Sequence, residues 1–457
     1  MQESRQRSEW FINTWAVVAA FGTYFCMYMF RKPFTVGSFE RAVGEGWDEK
    51  GTLIAAQVIG YMVSKFIGIR VVSEVSRLRR AWVILGLILF SHAALLLFAV
   101  VPAPYHVFCM FLNGLPLGIV FGLVLGFLEG RQSTEALAAG LCASFILAGG
   151  VAKTVGQRVI DIACGQWGWE LSIAERWMPF FSGAFFLVPI CICVWMLHRI
   201  PPPSSKDIDA RSLREPMGSE DRWRVLRSYS MGLGAIAGTY LLMSILRSFR
   251  DDFAPEILRG LGASVKAQAY ANIDFFVMCL VTAANGSAVF IRDNRTALQF
   301  SFGVSMLGFA TTMLSVLWHW YVQPISPALL MVAIGAGLYL PYVAVHTTVF
   351  ERIIACTRDR ANVGFLMYIA DSVGYLGYVA VVLLKNQWIG GVGEATFASG
   401  FLVFSVLGAA LSIVLIAVAS YRFRALAVYQ ESSQDSGSSQ DKDSSQDVDN
   451  SQATSAR

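Results

Sequence analysis

Two arginines occupy matching places in a repeated segment. GTYFCMYMFR runs from Gly22 to Arg31 and GTYLLMSILR from Gly238 to Arg247, both fitting G-T-Y-x-x-M-x-x-x-R, 216 residues apart. A guanidinium keeps its charge and offers a planar fork of donors that grips phosphate or carboxylate through two hydrogen bonds. Tyr24, Tyr28 and Tyr240 on the same segments add hydroxyl donors and ring faces. The pair predicts recognition of a small anion. The competing reading has each arginine snorkelling to the headgroups from a helix end; the matched positions favour the site.

Five more ionisable groups sit in apolar surroundings: Lys65 in YMVSKFIG, Lys153 in LAGGVAKTVG, Asp274, Asp371 in MYIADSVGYLG, and His346 five residues after Pro341. Charge inside a span is costly unless paired or hydrated, so each is a candidate site residue. For Lys65 and Lys153 two readings stand: a second ligand for the anion, or an ion pair with an acid such as Asp371 or Asp274. Asp371 in turn is that partner or a proton carrier. Asp274 and His346 join it as coupling or charge-pairing candidates, a packed and hydrogen-bonded histidine being the plainer reading of His346. The eight cysteines are scattered without metal-ligand spacing, and there is no HExxH, no CxxC pair and no nucleophile elbow. No metal, cofactor or catalysis is expected. GLPLGIVFGLVLG lacks the lysine-serine ending of a phosphate loop and reads as close helix packing.

The elements that must hold these residues follow from composition. Of 457 residues 55% are hydrophobic and 15% charged, where a soluble domain carries about 25% charged. Mean hydropathy is +0.53. Twelve apolar segments recur, near 11–30, 52–72, 81–101, 107–128, 136–158, 178–198, 229–249, 268–291, 298–320, 327–350, 361–384 and 397–420. Each can cross a hydrocarbon core about 30 Å thick, and lipid leaves helices as the default. The first segment lacks a small-residue cleavage site and reads as a retained helix.

The polar stretch near 199–228 divides the helices six and six. That gives an N-terminal bundle over 1–198, a cytoplasmic linker over 199–228 and a C-terminal bundle over 229–421. The tail, 422–457, repeats SSQD and is expected to be disordered. Loops on the side of the termini hold 21 lysines and arginines against nine opposite, which places both termini in the cytoplasm. The basic excess lies in short loops and speaks of topology, not nucleic acid. Expected partners are the lipid bilayer and a small anionic solute, bound by a monomer. Two parallel six-helix halves, all α and pseudo-symmetric, are a known transporter plan.

Twelve helices in two such halves resemble the major facilitator superfamily. Within it the chain is similar to the organophosphate:phosphate antiporters, which carry glycerol phosphate or hexose phosphates. Tyr28-Met29-Phe30-Arg31-Lys32 resembles the helix 1 motif of that branch and Ser64-Lys65-Phe66 its helix 2 motif. Leu246-Arg247, followed by Asp252-Phe253-Ala254-Pro255, resembles the end of its helix 7, and Trp177-Met178-Pro179-Phe180 the start of its helix 6. The resemblance implies that both arginines bind phosphate, that helices 1 and 7 continue beyond their apolar limits so that both arginines sit deeper than hydropathy suggests, that Pro33 kinks helix 1, and that the membrane is a bacterial inner membrane. The chain departs from the branch in helix 5, where a histidine is replaced by Gly149-Gly150 with Lys153 close behind.

The expectation is a secondary transporter of alternating access for an organophosphate or other organic anion. A transporter-like membrane sensor of an anionic metabolite and a lipid or lysolipid transporter are the rival readings.

Overall fold

Proline and polar residues decide where the long apolar segments bend. In the computed structural model the described residues are 2–39, 48–128, 134–202, 223–224, 227–264, 266–287, 291, 293–357, 363–388 and 393–454. Their regular structure is entirely helical. The first six spans are α1 (Gln2–Tyr28), α2 (Glu49–Glu74), α3 (Arg77–Val100), α4 (His106–Leu128), α5 (Thr134–Gly165), and α6 (Leu171–Phe185) joined to α7 (Leu187–His198). The α6–α7 break has a local cause. Pro189 has no N–H to donate to the Phe185 carbonyl, and its ring crowds that carbonyl.

The second six are α8 (Ser230–Asp252) with the short α9 (Ala254–Gly260), α10 (Ala267–Gly286), α11 (Asn294–Tyr321), α12 (Pro327–Ala344) with α13 (Phe350–Thr357), α14 (Val363–Trp388) and α15 (Glu394–Thr454). Asp293 caps α11 by accepting from the Thr296 amide at 2.7 Å, and these bonds hold its carboxyl below the ordinary aspartate range. Within the tenth span Pro341 lies inside α12, and a π turn over Val345–Val349 follows before α13. Among the described residues eleven helices are long and apolar enough to cross a membrane, and Ile369–Leu384 in α14 is a shorter apolar stretch in the place of the expected eleventh span.

Two findings differ from the sequence expectations. The first helix ends at Tyr28 instead of running on; a tight turn and a 3-10 helix over Pro33–Val36 carry the chain onward. The last helix extends through Thr454, into the tail predicted to be disordered. Most of the expected linker lies outside the described residues.

The first six spans meet the last six along two seams, α5 against α10 and α2 against α14. If span n is matched with span n+6, each seam maps onto the other. That is what a two-fold relation between halves requires.

Within the first half α2 and α4 approach closely through glycine. A Cβ on Gly114 would lie 2.0 Å from the Gln57 carbonyl oxygen, and one on Gly118 would lie 2.5 Å from that of Tyr61. The glycine-rich run therefore serves packing. Gly114→Ala should cost about 1–3 kcal/mol through overpacking and lower the thermal midpoint of purified protein. Gly86→Ala, which meets nothing within 4 Å, should leave the midpoint unchanged.

Candidate anion site between the two halves

The broken end of α1 places the first arginine. With the helix stopped at Tyr28, the carbonyls of Phe30 and Arg31 would be stranded in the membrane interior. Asn113 of α4 donates to Phe30 O at 3.0 Å, and Gln57 of α2 donates to Arg31 O at 2.9 Å. Gln57 also donates to Asn113 Oδ1 at 2.7 Å, while Asn113 Nδ2 reaches Ser91 Oγ at 2.7 Å. Irregular backbone survives at membrane depth only when protein groups satisfy it in this way.

Arg31 then turns inward. It is buried, with its guanidinium carbon 3.9 Å from the centre of the Tyr61 ring and 5.8 Å from that of Tyr28. Arg247, from the regular part of α8, is buried under tyrosines of α12, 4.3 Å from Tyr342 and 5.6 Å from Tyr339. The two arginines line one small pocket together with Tyr28, Lys32, Asp252, Tyr375 and Tyr378, and the Asp252 carboxylate there is taken by Lys32. Neither points to lipid.

The decisive feature is charge balance. Lys32 bonds Asp252 and lies 2.9 Å from Asp251; Lys153 bonds Asp251 at 2.5 Å; Arg250 meets Asp274 at 3.2 Å; Lys65 pairs with Asp371. Four carboxylates thus answer four cations. Arg31 and Arg247 have no acidic partner among the described residues. Both Nε atoms lack any hydrogen bond, and Arg247 donates only to Ser248 Oγ, at 3.2 Å. A site of low dielectric with two uncompensated guanidiniums calls for an anion.

The remaining expected residues fall into place around this core. Lys65 and Lys153 take the ion-pair reading, though the partner of Lys153 is Asp251 and that of Asp274 is Arg250. Tyr28 faces the cavity, whereas Tyr24 sits 3.4 Å from the Tyr61 hydroxyl and Tyr240 donates to Asp371. His346 lies 3.6 Å from the same carboxylate. Sequence reading passed over Tyr61, Tyr339, Tyr342, Tyr375 and Tyr378. A usable signal existed in α14, where Asp371, Tyr375 and Tyr378 stand on one face at helical spacing.

Residues 33–425 match a family model described as a family of unknown function, DUF5690. The chain belongs to that family. No curated protein matches it. Among solved structures it is similar to a D-xylose–proton symporter, with TM-score 0.60 and 13% identity, covering 88% of this chain and 96% of that one. It is also similar to a bacterial homologue of the human lysosomal transporter Spinster, inward-facing and unoccupied, with TM-score 0.56 and 13% identity over 91% and 97% of the chains. The xylose transporter XylE from E. coli, partially occluded and inward open, gives TM-score 0.57 and 15% identity over 87% and 97%. The DUF5690 chain therefore has the fold of the major facilitator superfamily, as a multi-pass membrane protein of two six-helix bundles.

The network under Arg31 is open to a direct check in this family member. Asn113→Leu keeps the volume but strands the Phe30 carbonyl and one donor of Gln57. A loss of about 1–3 kcal/mol is expected for each buried group left unpaired, read as a lower unfolding midpoint in detergent.

Proposed function

We propose that this protein is a secondary transporter of a small organic anion, an organophosphate monoester being the class that fits best. One observation carries the reading: two guanidiniums, from equivalent first helices of the two halves, share a cavity in which every other buried cation is neutralised. A phosphate monoester carries a charge of roughly −1.5 to −2 at neutral pH and presents three acceptor oxygens. Its charge offsets the two arginines, and its oxygens suit two planar forks. Tyrosine rings and hydroxyls around the arginines are left to contact its organic part. The similar solved structures bear the names of transporters, and the fold supports rocking of the halves about a site at their interface. The loop charges support termini on the cytoplasmic side.

Binding by purified protein tests the reading, with inorganic phosphate and glycerol 3-phosphate as probes and glycerol as the neutral control. Both phosphates should bind and glycerol should not. Arg31→Ala and Arg247→Ala should each weaken binding about 10- to 100-fold, the range for a lost charge-assisted bond. Equal retention of glycerol and its phosphate, or undiminished binding by both variants, would remove the arginines from the site. Uptake of the bound probe into vesicles then separates a transporter from a sensor.

A further inference from the structure

The two arginines are held by different means. Arg247 stands in the regular ladder of α8, whereas Arg31 and Lys32 lie beyond the end of α1, in a segment that must be held from outside. Asn113 and Gln57 fix its start through the Phe30 and Arg31 carbonyls. The amide and the hydroxyl of Thr35 both donate to the Lys32 carbonyl, at 3.1 and 2.8 Å. The 3-10 turn over Pro33–Val36 then lies flat on α5, where a Cβ on Gly156 would stand 2.9 Å from the Pro33 carbonyl oxygen. The far end of the segment meets a buried carboxylate that the proposed anion site does not use, Glu175 of α6.

Glu175 is 6% exposed and meets no cation among the described residues. Its Oε1 accepts from the Ser38 amide at 2.6 Å and from the Ser38 hydroxyl at 2.9 Å, and its Oε2 accepts from the Phe39 amide at 3.1 Å. Phe39 itself stands in the left-handed region at φ +45°. A bulky residue keeps that conformation only where its surroundings enforce it. Its ring is folded back over Gly37, where a Cβ would lie 2.7 Å from it, and rests edge-on against Phe98 of α3 with ring centres 6.2 Å apart. Both oxygens of a carboxylate only accept, and all three groups that reach Glu175 donate.

We infer that Glu175 is a positioning residue: by clamping Ser38 and Phe39 onto α6 it sets where Arg31 and Lys32 stand. Residues 29–37 bridge two fixed points, the end of α1 and this clamp. The backbone bonds between those points are short-range ones, Arg31 and Lys32 donating to Tyr28, Thr35 to Lys32 and Gly37 to Phe34. Such a stretch has no ladder to stop a disturbance at one end from travelling to the other. Released from Glu175, the strained turn at Phe39 relaxes, and the loosening passes through Thr35 to the Lys32 carbonyl and so to Arg31. A binding side chain is only as well placed as the groups that support it. The effect on anion affinity rests on the proposed anion site; the hold on the turn does not.

Amide hydrogen exchange of the purified full chain reads the clamp without any substrate. Glu175→Gln keeps the volume but replaces one acceptor oxygen with a donor. Exchange at Ser38 and Phe39 should quicken about 10-fold or more, the range for a lost bond to a charged group. The acceleration should carry back through Thr35 to Lys32 and Arg31 and leave α8 around Arg247 unchanged. Inorganic phosphate should bind the variant about 10-fold more weakly, the low end for loss of a supporting partner. Glu175→Asp, which keeps both acceptor oxygens, should recover part of each effect. If Glu175→Gln does not fold, Ser38→Ala removes only the hydroxyl donor and should give the same pattern at an amplitude of about a few-fold. Acceleration that is absent, or confined to Ser38 and Phe39, overturns the inference, as does acceleration that reaches Arg31 with phosphate affinity unchanged. Failure of the native protein to bind phosphate would count against the anion site alone, and the exchange pattern would still decide the clamp.

Discussion

Two positive charges held without counter-charge inside an apolar bundle are the constraint on which the rest of the structure depends. Burying an unpaired ion costs several kcal/mol even after relaxation, so the neighbouring groups are arranged to contain that cost. Tyrosine faces stand where carboxylates would cancel the charge: Tyr61 against Arg31, Tyr342 against Arg247. A ring quadrupole attracts a guanidinium by about 1–2 kcal/mol when desolvated. That is enough to orient the fork and too little to satisfy it. The space left between them is where the proposed anion would bring negative charge.

The neutralised cations serve a second purpose. Lys32 with Asp251 and Asp252, Lys153 with Asp251, and Lys50 with Glu256 all join the two halves on the far side of the cavity from the Lys65–Asp371 pair. Along α2, Gln57, level with Arg31, and Lys65 are eight residues apart, about 12 Å of helix rise. The arginine cavity is thus bracketed by inter-half ion pairs at two levels. Opening either end breaks pairs at that end and leaves those at the other intact. A single broken buried pair costs about 3–5 kcal/mol unless a substitute partner is present, which makes the groups able to act as substitutes the ones that govern motion.

Much of this was legible in the residues. Hydropathy alone places the twelve spans, because lipid leaves the backbone only one economical choice in a chain of this pattern. The repeat around Arg31 and Arg247 marks the two arginines, since a duplicated charge at a duplicated position survives as identity even between apolar segments. Partner choice was not legible. Lys153 sits near two aspartates in space, and whether it meets Asp251 or Asp274 depends on the side from which Arg250 arrives. The stop at Tyr28 was hidden for a different reason: helix 1 has no breaker before Pro33, and the break is sustained by Asn113 and Gln57 from other helices. Side-chain amides that satisfy a distant backbone leave no local pattern.

The glycine pair in α5 shows how the site came to rest on the arginines. A Cβ on Gly150 would lie 2.2 Å from the Tyr270 carbonyl oxygen, and one on Gly149 would lie 2.8 Å from Asp251 Oδ1. At Gly150 the α10 backbone leaves room for nothing larger than hydrogen, while a side chain at Gly149 would have to displace the Asp251 carboxylate. Lys153, one turn further on, is held by the Gly149 carbonyl at 3.2 Å and by Asp251. Its charge is therefore committed to joining α5 to α8 and is withheld from the cavity. A bundle that closes this seam with glycine offers no side chain from that level of α5, and in the proposed reading recognition of the anion is left to Arg31, Arg247 and the tyrosines around them.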